Sequence, residues 1–504
     1  MNKPVIAHMR EKDRETQSLT NHLCETSDLA RQFADKIGLK EIGEITGLLH
    51  DLGKACEEFQ NYLGSATGLI DPDQDEYIDV SSKKGEIDHS SAGAQLIYKH
   101  FYNKGFEGII TAQILALCIA SHHSGLIDCI APDGEDKFTK RINKSDEKTH
   151  LQEAVSNLDD TVTQKIDKVI SNDIERKIVE KLESLIEPND SKETLAFKYG
   201  LLIRFLLSCL LDADRLSTAD FEDPYKTSKR NYGKYQPWKK LIQRLDKKIN
   251  EFEHKKLKNE VDKIRSQVSQ DCLQFSTKPK GIYQLTVPTG GGKTLASLRF
   301  ALNHAAHYKM DRIFYIVPYT SIIDQNADQI RNILEDKGPN GQFLDKVVLE
   351  HHSNLTPEKE SYRQNLLSEN WDAPIVFTTQ VQFLESLFSA GTRGARRMHQ
   401  LANSVIIFDE IQTLPIRCVH MFNVAIRFLV HDCGSTVVLC TATQPLLDKI
   451  EPAHRAISIK TDQKIISNED DLYDKLRRVN VLDRRKVGGW NENEISELVK
   501  QVWW

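Results

Sequence analysis

Over the first 220 residues, apolar positions recur at the three-to-four-residue spacing of a helix. Ile42, Ile45, Leu48, Leu49 and Leu52 form one such stripe, Ile114, Leu115, Leu117 and Ile119 a second, and residues 201–211 a third, nearly unbroken run. This half is expected to be all-α. Residues 128–192 are charged, with short periodic runs such as Val162, Ile166, Val169 and Ile170, and read as helical padding without evident chemistry. Near Gly281 the texture changes. Short β-branched runs at 282–287, 313–317, 375–378, 405–408 and 437–440 alternate with helical stretches, the pattern of a mostly parallel sheet flanked by helices. The expected fold is therefore multidomain: an α-helical domain over 1–223, a joint over 224–268, an α/β lobe over 269–450, and a remainder, 451–504, that begins a further lobe or forms a tail.

The joint is rich in lysine and arginine (Lys226, Lys229, Arg230, Lys234, Lys239, Lys240, Arg244) interleaved with Tyr225, Tyr232, Tyr235 and Trp238. Such a stretch can follow a nucleic-acid strand by charge and stacking, or it can be a solvated linker helix. Composition narrows the class. With 39% hydrophobic and 28% charged residues, 67 basic against 73 acidic, the 504-residue chain is neither a disordered polyelectrolyte nor a membrane protein. A net charge of -6 means that any contact with phosphates must come from a local patch. The nine cysteines are scattered, with no C-x-x-C pair, and are expected to be reduced core residues. Residues 1–14 are too charged for a signal peptide, and the run 201–211 is too short to span a bilayer and carries Arg204. A cytoplasmic protein without membrane contact is expected.

The strongest motif is Leu-Thr-Val-Pro-Thr-Gly-Gly-Gly-Lys-Thr at 285–294, between an expected strand and an expected helix. Thr289, Gly290, Gly291 and Gly292 can turn backbone N–H groups around a phosphate, Lys293 can reach the β- and γ-phosphates, and the Thr294 hydroxyl can hold Mg2+. The strict P-loop wants glycine at Val287, but the P-T-G-x-G-K-T form resembles superfamily 2 helicases. The acidic pair Asp409-Glu410 ends an apolar strand. Asp409 would reach the magnesium and Glu410 would orient and deprotonate water for attack on ATP. In helicase order, 316–321, 376–380 and 440–444 resemble further motifs, and the resemblance makes Thr320, Ser321, Thr378 and Thr379 candidate nucleic-acid contacts. No Q-x-x-G-R-x-x-R pattern follows residue 444, where about 60 residues remain and a second lobe needs on the order of 150. The expectation is a partial chain that binds ATP without efficient turnover or unwinding, completed by a second lobe that a separate chain could supply.

In the helical half, His50-Asp51 ends an amphipathic stretch. It is joined by His22, by Asp88-His89-Ser90, by Ser121-His122-His123-Ser124, and by Asp212 and Asp214 at the end of the long apolar run. A second dipeptide, His431-Asp432, has no such company. Imidazoles with carboxylates suit Mn, Fe, Ni, Co or Zn, and one aspartate can bridge two ions. The order resembles HD-type metal-dependent phosphohydrolases and nucleases. That resemblance implies one ion held by His22, His50, Asp51 and Asp214 and another by Asp51, His89, His122 and His123, with Lys54 placed to steady a phosphate. Asp214 is preferred over Asp212 because the pattern ends Ala-Asp before a large residue, here Arg215. Together, the two halves resemble the CRISPR-associated helicase–nuclease of type I interference systems, an HD domain fused to a RecA-like helicase lobe. The resemblance implies single-stranded DNA as substrate, threaded 3′ to 5′, and recruitment by the Cascade–crRNA effector complex to an R-loop. Two other readings keep part of the pattern: an HD phosphohydrolase acting on small phosphate esters or nucleotides, and a binding protein for DNA or the effector complex without catalysis.

Overall fold

Strand and helix formation divide the chain near residue 280. The structure, a computed structural model, describes residues 5–70, 87–254, 259–341, 343, 347–352, 367–441, 447, 450–452, 455–477 and 483–502. A short antiparallel ribbon, β1 (Ile6–Met9) with β2 (Thr16–Ser18), opens the helical domain. The helix Leu19–Asp35 follows, its first turn closed by Ser18 Oγ accepting from the Asn21 N–H. It packs against Lys40–Leu49, Gly105–Ser121 joins Ser91–Phe101, and Lys192–Glu222 packs on Leu19–Asp35, Lys40–Leu49 and Gly105–Ser121. Residues 128–192 contribute to this core, through Phe138, Ile142, Val162, Ile166, Ile174 and Ile178.

The Lys192–Glu222 helix runs eleven residues past the apolar stretch that marks it in the sequence. At 31 residues it is long and apolar enough to cross a bilayer by length and composition, but here it is mostly buried inside the fold, with one domain on each side. Arg204 on this helix donates to the backbone carbonyls of Glu385 and Ser386 in the second domain.

That second domain is a six-stranded sheet in the order β3-β8-β7-β4-β6-β5, every pairing parallel. The strands are β3 (Ile282–Thr286), β4 (Arg312–Val317), β5 (Val348–His351), β6 (Ile375–Thr379), β7 (Ser404–Phe408) and β8 (Thr436–Thr441). Helices cover both faces, which is why most of these strands are buried along their length and read as continuous apolar runs. Tyr315 and Phe377, paired across β4 and β6, stack at 4.6 Å. In such a sheet the carboxyl ends of the strands gather the loops that bind ligands.

The joint at 224–268 is not a solvated linker. Helices Trp238–Glu253 and Glu260–Phe275 lay Leu241, Leu245, Ile249, Ile264, Val268 and Cys272 into the core of the sheet domain, and the second helix runs through the expected boundary at 268. Its aromatics are not an open stacking surface either. Trp238 Nε1 donates to the Met310 carbonyl at 2.8 Å, Tyr235 Oη to Asp372 at 2.7 Å, and the Tyr232 hydroxyl to Asp220; Tyr225 is the exposed one. Beyond residue 450, Ile465, Ile466, Leu472 and Leu476 pack on this same core, and the Ile465 N–H donates to Gln284 on β3. The nine cysteines are all free, most of them buried.

Candidate active site

Helix ends bring the chemistry of the first domain to one point. His50 closes Lys40–Leu49, His122 closes Gly105–Ser121, His89 precedes Ser91–Phe101, and His22 and Asp214 project from the helices Leu19–Asp35 and Lys192–Glu222. Asp51, 1% exposed, lies at the centre. Its Oδ2 stands 3.4 Å from His22 Nε2 and 3.3 Å from His50 Nε2, both of which are 3.5 Å from Asp214 Oδ1. Its Oδ1 faces the other way, 3.2 Å from His122 Nε2, 3.9 Å from His89 Nε2 and 4.0 Å from His123 Nε2. Two four-residue sets therefore share one carboxylate: His22, His50, Asp51 and Asp214, and Asp51, His89, His122 and His123, each with its ligand atoms within 4.8 Å of one another.

The rings are oriented for ligation. Nδ1 of His50 donates to the Gly47 carbonyl at 2.9 Å, that of His122 to Ile119 at 2.7 Å, and that of His89 to Ile87 at 3.2 Å, each leaving Nε2 bare toward the centre. His22 differs. Its Nδ1 lies 3.1 Å from Ser217 Oγ, whose hydroxyl donates to Glu25 Oε2 at 2.8 Å. His89 and His123 bring their Nε2 atoms to 2.6 Å, a hydrogen-bond separation that needs a proton on one of the two nitrogens. This donor set, imidazoles plus carboxylates with inward lone pairs, fits two divalent transition ions.

Electrostatics agree with that. Burial pushes the Asp51 carboxyl up, but Lys54 and His50 outweigh it and hold it well below the usual range. Burial likewise opposes ionisation of Asp214, and His22 and His50 reverse the sign. Burial pushes His50 down, yet Asp51 and Asp214 raise it to about 10, the direction expected where two carboxylates attract positive charge. His123 is lowered to about 3, by burial first and then by His122. Lys54 is not a solvated lysine: it is 5% exposed, its Nζ 2.8 Å from Asp51 Oδ2 and 3.3 Å from His8 Nε2.

Asp212 and Asp214 part company on their helix. Asp212 is fully buried and points into the sheet domain, where Arg396 Nε donates to its Oδ1 at 2.6 Å and Asn370 Nδ2 to its Oδ2 at 3.1 Å. Asp88 is a cap, accepting from the Ser90 and Ser91 N–H groups and pairing with Lys144. Asp432 lies against Lys181, away from the cluster.

At the carboxyl end of the sheet, the loop 287–292 leads from β3 into the helix Lys293–Tyr308, entered through Gly292 at φ 85°, a left-handed conformation that favours glycine. Lys293 Nζ reaches Asp409 Oδ1 at 2.8 Å and Glu410 Oε1 at 2.6 Å across the sheet. Glu410 itself holds φ 50°, a strained position for a residue with a side chain. A cavity of about 670 Å³ opens here, lined by Thr289, Gly290, Gly292, Lys293, Thr294, Asp409 and Glu410 and walled by Phe252 and Arg265 from the joint helices.

Residues 3–194 match the family described as Cas3, HD domain, and residues 254–450 match the DEAD/DEAH box helicase family. The chain joins a Cas3-type HD domain to a DEAD/DEAH box helicase domain. It is 30% identical over 223 residues to the CRISPR-associated nuclease/helicase Cas3 of Haloferax volcanii, covering 40% of this chain and 23% of that protein. A Methanocaldococcus jannaschii protein provisionally described in the same words is 21% identical over 389 residues, 72% of this chain and 49% of its own. The crystal structure of T. fusca Cas3 shares the fold, with a TM-score of 0.51 and 16% identity over 86% of this chain and 50% of that one. The chain thus spans half or less of these relatives.

Within the helicase domain, the expected strand-contacting residues divide. Thr320 and Ser321 begin the helix Thr320–Leu334 at the carboxyl edge of the sheet, after the exposed Tyr319. Thr378 is not available to a strand: it is fully buried and its hydroxyl donates to the His351 carbonyl at 2.9 Å. Thr379 caps the helix Gln380–Phe388, accepting from the Gln382 N–H at 3.2 Å. Of the motif at 440–444, residues 442–444 lie outside the described residues. Sequence reasoning missed His8, Glu25 and Ser217 around the metal ligands and Arg265, whose Nε donates to the Gly290 carbonyl at 2.8 Å. Each is a lone polar residue without a pattern that marks it.

Proposed function

We propose that the HD domain is a metal-dependent nuclease that cuts single-stranded DNA, that the adjoining lobe binds ATP and Mg2+ as part of a 3′-to-5′ helicase motor, and that the two act in CRISPR interference after recruitment by a Cascade–crRNA effector complex. The observation that carries this reading is Asp51, one buried carboxylate whose two oxygens face two separate histidine-rich sets. Bound there, a pair of divalent Mn, Fe, Co or Ni ions supplies Lewis-acid activation of water and of a phosphodiester. Asp51 would hold both sets in register, and Lys54 would balance its charge and steady the scissile phosphate. His123, half-exposed, marks the side from which a strand would enter. In the helicase lobe, Lys293 would exchange its carboxylate partners for the β- and γ-phosphates, freeing Asp409 for magnesium and Glu410 for the attacking water.

The test is cleavage of circular single-stranded DNA by the full chain under Mn2+, Co2+ or Ni2+, beside phosphate release from nucleotides. Wild type is expected to linearise and degrade the circle, and Asp51→Ala to lose this by at least a hundredfold. Nucleotide phosphatase activity without DNA cleavage would replace the nuclease reading with a small-ester phosphohydrolase. An Asp51→Ala protein as active as wild type would end both.

A further inference from the structure

One segment of the helicase lobe touches residues next to the ligand candidates on two sides. On the helix Lys192–Glu222, the ligand candidate Asp214 stands between Asp212 and Arg215. Asp212 receives Arg396 Nε at 2.6 Å, and the Arg215 guanidinium donates to Thr392 Oγ1. Across the site, Gly125 follows His123 by two residues and lies directly on Gly391: a Cβ on Gly125 would stand 2.5 Å from the Gly391 Cα. Residues 391–396 therefore abut the backbone that carries Asp214, which belongs to one set, and the backbone that carries His123, which belongs to the other. The segment is also tied to the motor. It follows the helix Gln380–Phe388, whose cap Thr379 ends β6, and it leads into β7, which ends at Asp409 and Glu410.

Asn370 Nδ2, at 3.1 Å, and His399 Nε2, at 3.4 Å, also reach Asp212 from the sheet domain, while two further bonds between the domains lie away from the ligands. Lys36 pairs with Asp311 at 2.9 Å, and Arg204 holds the carbonyls of Glu385 and Ser386. They join the domains without touching a residue adjacent to a ligand. The 391–396 contacts do touch such residues, on both sides of the shared Asp51.

We propose that residues 391–396 are a positioning element of the nuclease site, with Arg396 acting through Asp212 and Gly391 through Gly125 to set the spacing of the two ligand sets. The nuclease centre is then incomplete without the helicase lobe, and a shift of the strand ends that carry Thr379 and Asp409 is felt as a change in metal affinity. Because packed contacts transmit displacement through stiff helix turns, the effect reaches Asp214 and His123 without a conformational change in the HD core. This inference rests on the metal reading of the cluster, and the experiment separates the two.

Mn2+ is titrated into the full chain without nucleotide or DNA, following free Mn2+ and the spin-coupled signal of the bound pair by electron paramagnetic resonance. Wild type is expected to bind two ions with a coupled signal. Arg396→Gln is expected to weaken binding by ten- to a hundredfold, the range for residues that orient ligands, and to alter the coupling. Arg396→Lys restores part of the affinity, and Lys36→Met, which breaks a domain contact remote from the ligands, stays within twofold of wild type. Should Arg396→Gln fail to fold, Thr392→Val removes the Arg215 acceptor at nearly constant volume and is expected to lose three- to tenfold. Wild-type affinity in both Arg396→Gln and Thr392→Val, or an equal loss in Lys36→Met, overturns the positioning role. A wild-type chain that binds no Mn2+ pair overturns the metal reading and this proposal with it.

Discussion

Ser217→Ala isolates a histidine ligand candidate whose Nδ1 rests on a side chain rather than on a backbone carbonyl. His50, His89 and His122 each anchor Nδ1 on a backbone carbonyl, which no substitution removes, whereas His22 relies on Ser217 Oγ at 3.1 Å, backed by Glu25. The alanine leaves Glu25 paired. Gln17 Nε2 also donates to Glu25 Oε2 at 2.9 Å, so the carboxylate keeps a partner when the hydroxyl is gone. The loss to folding is that of a hydrogen bond to a carboxylate, about 1.5–3 kcal/mol. The loss to metal binding is comparable, because the ring is free to rotate and to choose the tautomer that buries its lone pair away from the site. Loss of such an orienting partner weakens a site by about 10- to 100-fold, or about 1.4–2.7 kcal/mol. The effect should fall on the ion of the His22, His50, Asp51 and Asp214 set, with the other set affected only through Asp51. Calorimetric titration of Mn2+ into the full chain, fitted to two sites, reads this directly. Two unchanged affinities, or an equal fall in both, would refute the orienting role of Ser217.

Three further outcomes follow from the helicase lobe. Leu245→Ala, at a buried position of the helix Trp238–Glu253, is expected to cost about 2–5 kcal/mol in urea denaturation, whereas a solvated linker helix would lose a few tenths. Lys293→Ala should reduce the affinity for a fluorescent ATP analogue with Mg2+ by at least tenfold while leaving Mn2+ binding at the HD cluster intact; unchanged nucleotide binding would remove the P-loop from the argument. His304 is fully buried between the Ser276 carbonyl and Thr436 Oγ1, and burial lowers it to about 4. Between pH 6.5 and 4 the unfolded chain binds the proton that the folded lobe refuses, so stability falls as pH drops through that window, by up to about 3 kcal/mol. Denaturation midpoints at pH 7.5 and 4.5 should therefore differ less in His304→Asn than in wild type, and an identical difference would show that His304 is not the group responsible.

What could be read from sequence depended on whether a residue's role was repeated nearby. The strands β3, β4, β6, β7 and β8 announce themselves because burial on two faces selects β-branched runs, while β5, four residues long and containing Glu350 and His351, does not. In the helices of 224–268, the stripe Leu241, Leu245 and Ile249 is helical in spacing, yet the surrounding lysines dominate the composition and suggest solvent on all sides. The ligand candidates are legible because ligation demands several histidines and aspartates at helix ends. Their supports are not, since Ser217, Glu25 and His8 are single polar residues outside any motif, brought in over separations of up to about two hundred residues. Thr378 misled for a related reason: a threonine at the end of a strand faces either the loop or the interior, and a motif match does not say which.

The Lys192–Glu222 helix shows why composition alone misdescribes such a protein. A helix apolar on every side must be buried on every side, and a bilayer is one way to achieve that. Here the same requirement is met by two domains, the helical bundle on one face and the sheet lobe on the other. Two aspartates on one helix, two residues apart, then face different domains: Asp214 the HD cluster and Asp212 Arg396. A buried carboxylate on each face must be matched by cations or hydrogen-bond donors there, so the helix can settle in only one rotation about its axis. That rotation places Asp214 among the histidines and Asp212 against Arg396.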